Sequence, residues 1–122
     1  IPEKKITVED VKYVLSSHYQ GTSYDPYASY GEKEQRGAFR SIGVNRTDFL
    51  SLIQMDQAWK GLNILEWVAF ASNAFNVLVP FYATIDTTPD YFSSTTREVT
   101  TDSFYWVSRM IGAMADASYK SS

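Results

Sequence analysis

"LNILEWVAFA" occupies residues 62–71, and its alternation decides how the rest of the chain is arranged. In an extended strand Leu62, Ile64, Val68 and Phe70 fall on one side, and Leu65, Trp67, Ala69 and Ala71 on the other. Only Asn63 and Glu66 interrupt the apolar run. Such a strand has to be covered on both faces. It is the third of four strand candidates, at 38–44, 47–55, 62–71 and 75–83. The turn "DQAWKG" at 56–61 links the second to the third, with Gly61 suited to a positive φ. "SNAFN" at 72–76 links the third to the fourth. Connections this short favour antiparallel neighbours.

Two helices flank the strands. In "TVEDVKYVLSSHY", residues 7–19, Thr7 is an N-cap and Asp10 stands three residues on, close to a capping box. Glu9 and Asp10 complement the dipole of the first turn. Val8, Val11, Leu15 and His18 keep the helical period, Val14 widens the face, and Gly21 is placed to end it. The segment 24–37, "YDPYASYGEKEQRG", reads as a loop whose tyrosines pack in part onto something. Residues 85–99 form another loop, with Pro89 excluding a central strand position. A second helix begins near Thr101 or Asp102, with Phe104, Val107, Ile111 and Met114 as its apolar stripe and Met110 beside it. The polar end at 115–122 reads as frayed.

Two helices cover one face of a four-strand sheet but not easily both. Either they split across the sheet, or a second sheet lies on the far face and belongs to another segment. The second option is the better fit to 62–71. The expectation is an α+β arrangement of about four antiparallel strands flanked by two helices, with 1–122 as a single partial domain. A remaining part of the parent chain, or a second copy in a homo-oligomer, would cover the open sheet face.

The composition narrows the function. The chain has 122 residues, 44% hydrophobic and 16% aromatic, which excludes disorder. Its net charge of −3, with basic residues scattered apart from Lys4 and Lys5, gives no nucleic-acid surface. No apolar run reaches the length of a membrane span, and no charged-then-apolar leader opens the chain. The first residue is Ile1, which reads as a processed or trimmed start. There is no cysteine, so the chain itself offers no disulfide, thiolate metal site or cysteine nucleophile.

Catalysis from within the chain finds little support. A serine triad needs a histidine, and the only one is His18, on the first helix, which reads as a packing residue. One histidine without cysteine makes no zinc site. Asp25, Asp48, Asp56, Asp86, Asp90 and Asp102 stand in loops or at element ends, as solvated or capping aspartates do. Glu66 is the exception, an ion pair or an outward position within an apolar strand. Gly37 and Gly43 form no phosphate-binding pattern. The best polar group lies in "FRSIGVNRTDFLSLIQM", residues 39–55, where Arg40, Asn45 and Arg46 precede an apolar strand. They read either as a sheet rim or as a fork for a planar carboxylate. Spacing alone favours the rim. Asn73 and Asn76 divide in the same way.

Four segments in fixed order then carry a resemblance: "YDPYASYG" at 24–31, "FRSIGVNRT" at 39–47, "EWVAFASNAFNVLVPFYATIDTTPDYF" at 66–92 and "DSFYWVSRMIGAMAD" at 102–116. Together they resemble the dipeptidase A family. These are cysteine dipeptidases of the N-terminal-nucleophile hydrolase superfamily, related to the secernins and more distantly to penicillin acylases and bile-salt hydrolases. The resemblance covers most of residues 5–116. The chain departs from the family pattern at Ala28 and Ser41, where glycine and proline are expected, and near Phe70 or Ala71, where a glycine is expected.

The resemblance implies part of a four-layer helix–sheet–sheet–helix fold, whose sheets are apolar on both faces. It also implies hydrolysis of dipeptides by an N-terminal cysteine whose own α-amine is the base, without a cofactor or metal and in the cytoplasm. No residue of this chain would then be catalytic. Arg40, Asn45, Arg46 and Asn73 are the expected substrate-binding or site-shaping residues. Tyr24, Tyr27 and Tyr82 are lining candidates, with core packing as the simpler role. Two other readings stand beside this one. One is a non-catalytic α+β binding or assembly module using the aromatic loop at 24–30. The other is a serine hydrolase using His18.

Overall fold

A computed structural model of the protein describes residues 3–55 and 64–119. The turn expected at 56–61, with Leu62 and Asn63, lies outside the described residues. The elements are α1 (Val8–Ser16), β1 (Phe49–Met55), β2 (Ile64–Phe70), β3 (Val79–Tyr82), α2 (Asp90–Ser93) and α3 (Phe104–Tyr119). Among the described residues the sheet has three strands in the order β1-β2-β3, antiparallel throughout.

Residues 38–44, expected as a strand, instead run as a loop. Their backbone groups go elsewhere. The Gly43 N–H donates to the Ser17 carbonyl at 2.7 Å, just past the end of α1. A Cβ on Gly43 would meet the Ser16 carbonyl oxygen at 2.3 Å, so this segment lies against the α1 terminus and not beside a strand. The other strands are shorter than expected but correctly placed. Their register pairs Phe49 with Phe70, Leu52 with Trp67, and Leu65 with Tyr82.

The alternation in β2 is realised. On one face Phe70 meets the rings of Phe49, Phe92, Phe104 and Tyr105 at centroid distances of 5.8, 5.3, 5.9 and 5.7 Å. Phe92, on α2, also packs on Phe81 at 4.6 Å and stacks on Phe104 at 5.1 Å. Aromatic pairs of this geometry add directional attraction to simple area burial. This cluster is where α2 and α3 close on the sheet. The other face carries Leu50, Leu52, Leu65 and Trp67, all half-buried, and Ala69, which is buried. Trp67 Nε1 donates across the ladder to Gln54 at 2.9 Å. Glu66 accepts from the Ser51 hydroxyl at 2.7 Å.

The apolar side chains that are fully buried, among the described residues, are all small or β-branched: Ala28, Val68, Ala69 and Ala71. Large ones range from half-buried to exposed. On the α3 face, beyond the reach of the helix, Ile53, Met55 and Ile64 are neighbours in the register and are 62%, 73% and 41% exposed.

Helix α1 starts as expected. The Thr7 hydroxyl accepts from the Asp10 N–H at 3.2 Å, and Asp10 Oδ2 accepts from the Thr7 N–H at 2.8 Å, closing a capping box. Hydrogen bonds from the Thr7 backbone and hydroxyl hold the Asp10 carboxyl below its ordinary value. A lowered folded-state value stabilises the fold above the ordinary aspartate range, and that contribution is lost as pH falls through the lowered value. Removing the N-cap hydroxyl with Thr7→Ala is expected to cost about 1 kcal/mol, as loss of a threonine cap does. The difference from wild type should shrink in strongly acidic buffer, as read by urea unfolding at several pH values.

The helix ends earlier than expected. Ser17 is the C-cap, extended at φ −66° and ψ 124°, so His18 lies in the following loop and not on the helix. The chain turns there through Tyr19, which adopts φ 64°, ahead of Gly21 at φ 77°. The long segment 17–48 is held by turns and by Phe39, whose ring meets Tyr24 at 5.3 Å and Tyr19 at 6.3 Å.

Helix α3 begins at Phe104 and departs in part from its expected stripe. Ile111 and Met114 are 45% and 70% exposed, whereas Ser108 is 3% exposed. A Cβ on Gly112 would lie 3.8 Å from the Ser72 Cβ. Ser108 and Gly112, one turn apart, let the helix backbone approach the 71–76 turn closely. Small residues set that contact in the C-terminal half, while the N-terminal half of the expected stripe holds: Phe104 packs in the aromatic cluster and Val107 and Met110 are half-buried.

Candidate functional site

The loop 17–48, the turn after β2 and the C-terminal half of α3 meet around a groove. One end is bordered by His18, Tyr27 and Gly43. Asn45, Ser72, Phe75 and Asp116 border both this end and the continuation beyond it, which reaches Arg109 and Gly112.

At the His18 end, Asp25 is completely buried and His18 is 7% exposed. Of the roles expected for Asp25, solvated or capping, it takes the capping one: its Oδ1 accepts the Tyr27 N–H at 2.9 Å and lies 3.2 Å from His18 Nδ1. Asp25 and His18 Nδ1 share one hydrogen bond, which directs the ring. Tyr27 packs edge-on against His18 at 5.4 Å, and its hydroxyl accepts the Asn45 N–H at 2.9 Å. One buried carboxylate thus fixes His18, then Tyr27, and through Tyr27 the backbone at Asn45.

At the turn after β2, Ala71 adopts φ 62° and its N–H donates to the Asp48 carbonyl at 2.9 Å. This is where a family glycine was expected, and the left-handed backbone explains why. Asn76 Nδ2 donates to the Phe70 carbonyl and closes the turn. Asn73 is buried, and its Nδ2 donates to the Leu15 carbonyl at 3.4 Å, tying the turn to α1.

At the far end, Arg109 donates through Nη2 to Asp48 Oδ1 and through Nε to the Tyr105 hydroxyl at 3.1 Å. Its guanidinium also lies 5.2 Å from the Tyr105 ring centroid. Partial burial works against the Arg109 charge, but the hydrogen bonds to Tyr105 and Asp48 and their attraction outweigh it and raise its pKa. Asp48 is 72% exposed on its side chain, so this pair contributes at most about 1 kcal/mol.

Of the four expected site residues, Asn45 borders the groove and Asn73 buttresses the turn beside it. Arg40 and Arg46 are exposed and do not border it, so the loop does not gather the fork with the asparagines. Tyr27 lines the groove, while Tyr24 and Tyr82 are 37% and 48% exposed outside it. Sequence reasoning missed Asp25, Ser72 and Asp116. Asp25 had a readable signal, because an aspartate two residues before a free N–H in Asp-Pro-Tyr forms an Asx turn. Asp116 follows Ser108 and Gly112 at a four-residue spacing, which only matters once the small residues are known to face inward. Among the described residues, no three His, Asp or Glu side chains are grouped to hold a metal ion, and no helix is long and apolar enough to cross a membrane.

Comparison with known proteins gives one consistent answer. The family model described as peptidase family C69 matches residues 1–122. The chain is 46% identical over 121 residues to a dipeptidase of Bifidobacterium longum, covering 98% of this chain and 23% of that protein. It is 48% identical over 119 residues to a probable dipeptidase A of Streptococcus pyogenes serotype M18, covering 97% of this chain and 25% of that protein. It is 34% identical over 116 residues to dipeptidase A of Lactobacillus helveticus, covering 94% and 24%. The chain thus spans about a quarter of the length of the curated relatives it matches.

Proposed function

Because the chain belongs to peptidase family C69, we propose that it forms part of a dipeptidase that hydrolyses the single peptide bond of a dipeptide. The observation that carries this reading is a family match over all 122 residues, with relatives named as dipeptidases over almost the whole chain. The nucleophile is an N-terminal cysteine carried by another segment of the parent protein. Its own α-amine accepts the thiol proton as the thiolate attacks the scissile carbonyl, that proton passes to the departing amine as the C–N bond breaks, and water then hydrolyses the thioester to release the first amino acid. No residue of this chain enters those steps. The enzyme works in the cytoplasm without a cofactor or metal.

In the parent, the sheet forms half of a four-layer helix–sheet–sheet–helix arrangement. The Leu52 and Trp67 face meets a second sheet, and the open end at Ile53, Met55 and Ile64 is covered by other parts of the chain. Surface area supports this. The chain exposes 8948 Å². A compact protein of its 13.9 kDa mass exposes about 6,700 Å². The same arrangement gives the site residues their parts. Asn45 binds substrate from the groove, Asn73 shapes the wall behind it, and Arg40 and Arg46 offer carboxylate forks outward, toward substrate or the rest of the enzyme.

The test is an assay of the full-length gene product on alanyl-alanine and on trialanine, before and after alkylation of its thiols. Hydrolysis of the dipeptide alone, abolished by alkylation, is the expected result. An enzyme indifferent to alkylation, or inert toward dipeptides, would overturn the reading.

A further inference from the structure

The dipeptidase reading leaves open how a substrate of only two residues is recognised. A dipeptide differs from any internal stretch of a protein chiefly in carrying both end charges within one short molecule. We propose that Asp116 is the counter-ion for the free α-ammonium of the substrate, received in the groove between α3 and the turn after β2. This inference rests on the dipeptidase reading.

The geometry comes from α3. Ser108 is buried, and Gly112 brings the helix backbone close to Ser72. One further turn carries Asp116 to the same side, where it is half-buried and borders the groove along both of its parts. Ser72 is 6% exposed, and it borders both parts as well. The middle of the groove therefore offers the Asp116 carboxylate, the Ser72 hydroxyl and the Asn45 amide, all of which supply acceptor oxygens. A primary ammonium has three donors and needs such acceptors. Phe75 supplies an apolar wall for the first side chain of the substrate.

Charge decides between the two ends of a dipeptide. Arg109 is the groove's nearest cation, but its Nη2 is held by Asp48 and its Nε by Tyr105. Among the described residues, the His18–Asp25 hydrogen bond and the Arg109–Asp48 ion pair both leave Asp116 out. Among the described residues, the charge left uncompensated in the groove is negative. It attracts an ammonium and repels a carboxylate, so the carboxylate end of the dipeptide is held elsewhere.

The experiment compares kcat/KM of the full-length enzyme for alanyl-alanine and for N-acetyl-alanyl-alanine, in wild type, Asp116→Asn and Asp116→Glu. Acetylation removes the positive charge of the ammonium and caps the nitrogen with an acetyl group, so the comparison that matters is how each variant changes the ratio between the two substrates. Wild type is expected to prefer the free dipeptide strongly. Asp116→Asn is expected to lose roughly 10- to 100-fold on the free dipeptide, the value of a charged hydrogen bond, with little change on the acetylated one. Asp116→Glu keeps the charge and should recover part of the preference, which a merely structural role would not produce. A variant that folds and keeps the wild-type preference overturns the inference, as does an equal loss on both substrates. Wild type inert toward both peptides overturns the dipeptidase reading itself, and the inference with it.

Discussion

Gly43→Ala is expected to destabilise the full-length protein by about 3 kcal/mol, the upper end of what overpacking a close contact costs. The reason is local and steric. An added Cβ would lie 2.3 Å from the Ser16 carbonyl oxygen, 2.4 Å from the Ser16 carbonyl carbon and 2.9 Å from the Ser16 Cα. All three are backbone atoms, so no side-chain rotation relieves the contact. The segment must move away from α1, and the 2.7 Å hydrogen bond from Gly43 to Ser17 breaks as it does. Gly21→Ala is the control. Nothing lies within 4 Å of its added Cβ, and only the positive φ of 77° is penalised. That costs about 1 kcal/mol. Urea unfolding of both variants checks the ordering. If Gly43→Ala is no worse than Gly21→Ala, the loop does not lie against the α1 terminus. The groove would then lose one wall, because Gly43 borders it beside His18.

Asp25→Ala is expected to have an effect of similar size through a different cause. The substitution leaves the buried His18 Nδ1 and the Tyr27 N–H without the carboxylate they share. Two unsatisfied polar groups of this kind cost about 2–5 kcal/mol together. Asp25→Asn keeps an acceptor oxygen in place and should cost less, so the pair of variants separates the hydrogen bonds from the charge. Loss of order should spread along the chain of contacts, from His18 to Tyr27 and then to Asn45, whose N–H is held by the Tyr27 hydroxyl. Amide hydrogen exchange at 43–47 reads that spread directly. The same variants bear on catalysis. If His18 only packs, folded Asp25→Asn enzyme keeps its kcat. If His18 worked as an oriented base, kcat would fall by orders of magnitude with the fold intact.

Local signals in the chain were legible wherever one residue's neighbours in sequence are also its neighbours in space. The capping box at Thr7 and Asp10, the three strands around β2 and the turn at Asn73 all belong to this class. The two-faced character of β2 was legible too, because alternation with period two is a property of the strand alone. The resemblance to cysteine dipeptidases was carried by ordered motifs, and the family match now rests on the whole chain.

Other features depend on segments far apart in sequence. Residues 38–44 have a strand-like composition, yet Gly43 is held against the end of α1 and its neighbours close local turns, which no local pattern announces. Helix α3 turns Ser108 and Gly112 inward because close backbone approach outweighs the burial of Ile111 and Met114 against this chain. Asp25 reads as a loop aspartate, and only the fold brings His18 and Tyr27 onto it. Asp116 reads as a polar residue near a helix end, and only the fold sets it beside Ser72 and Asn45. The sequence by itself determined the α+β class, the antiparallel pairing and the kinship with dipeptidases, since these follow from short-range periodicity and motif order. The tertiary structure alone decided which polar groups share a groove, since that depends on contacts whose partners lie tens of residues apart.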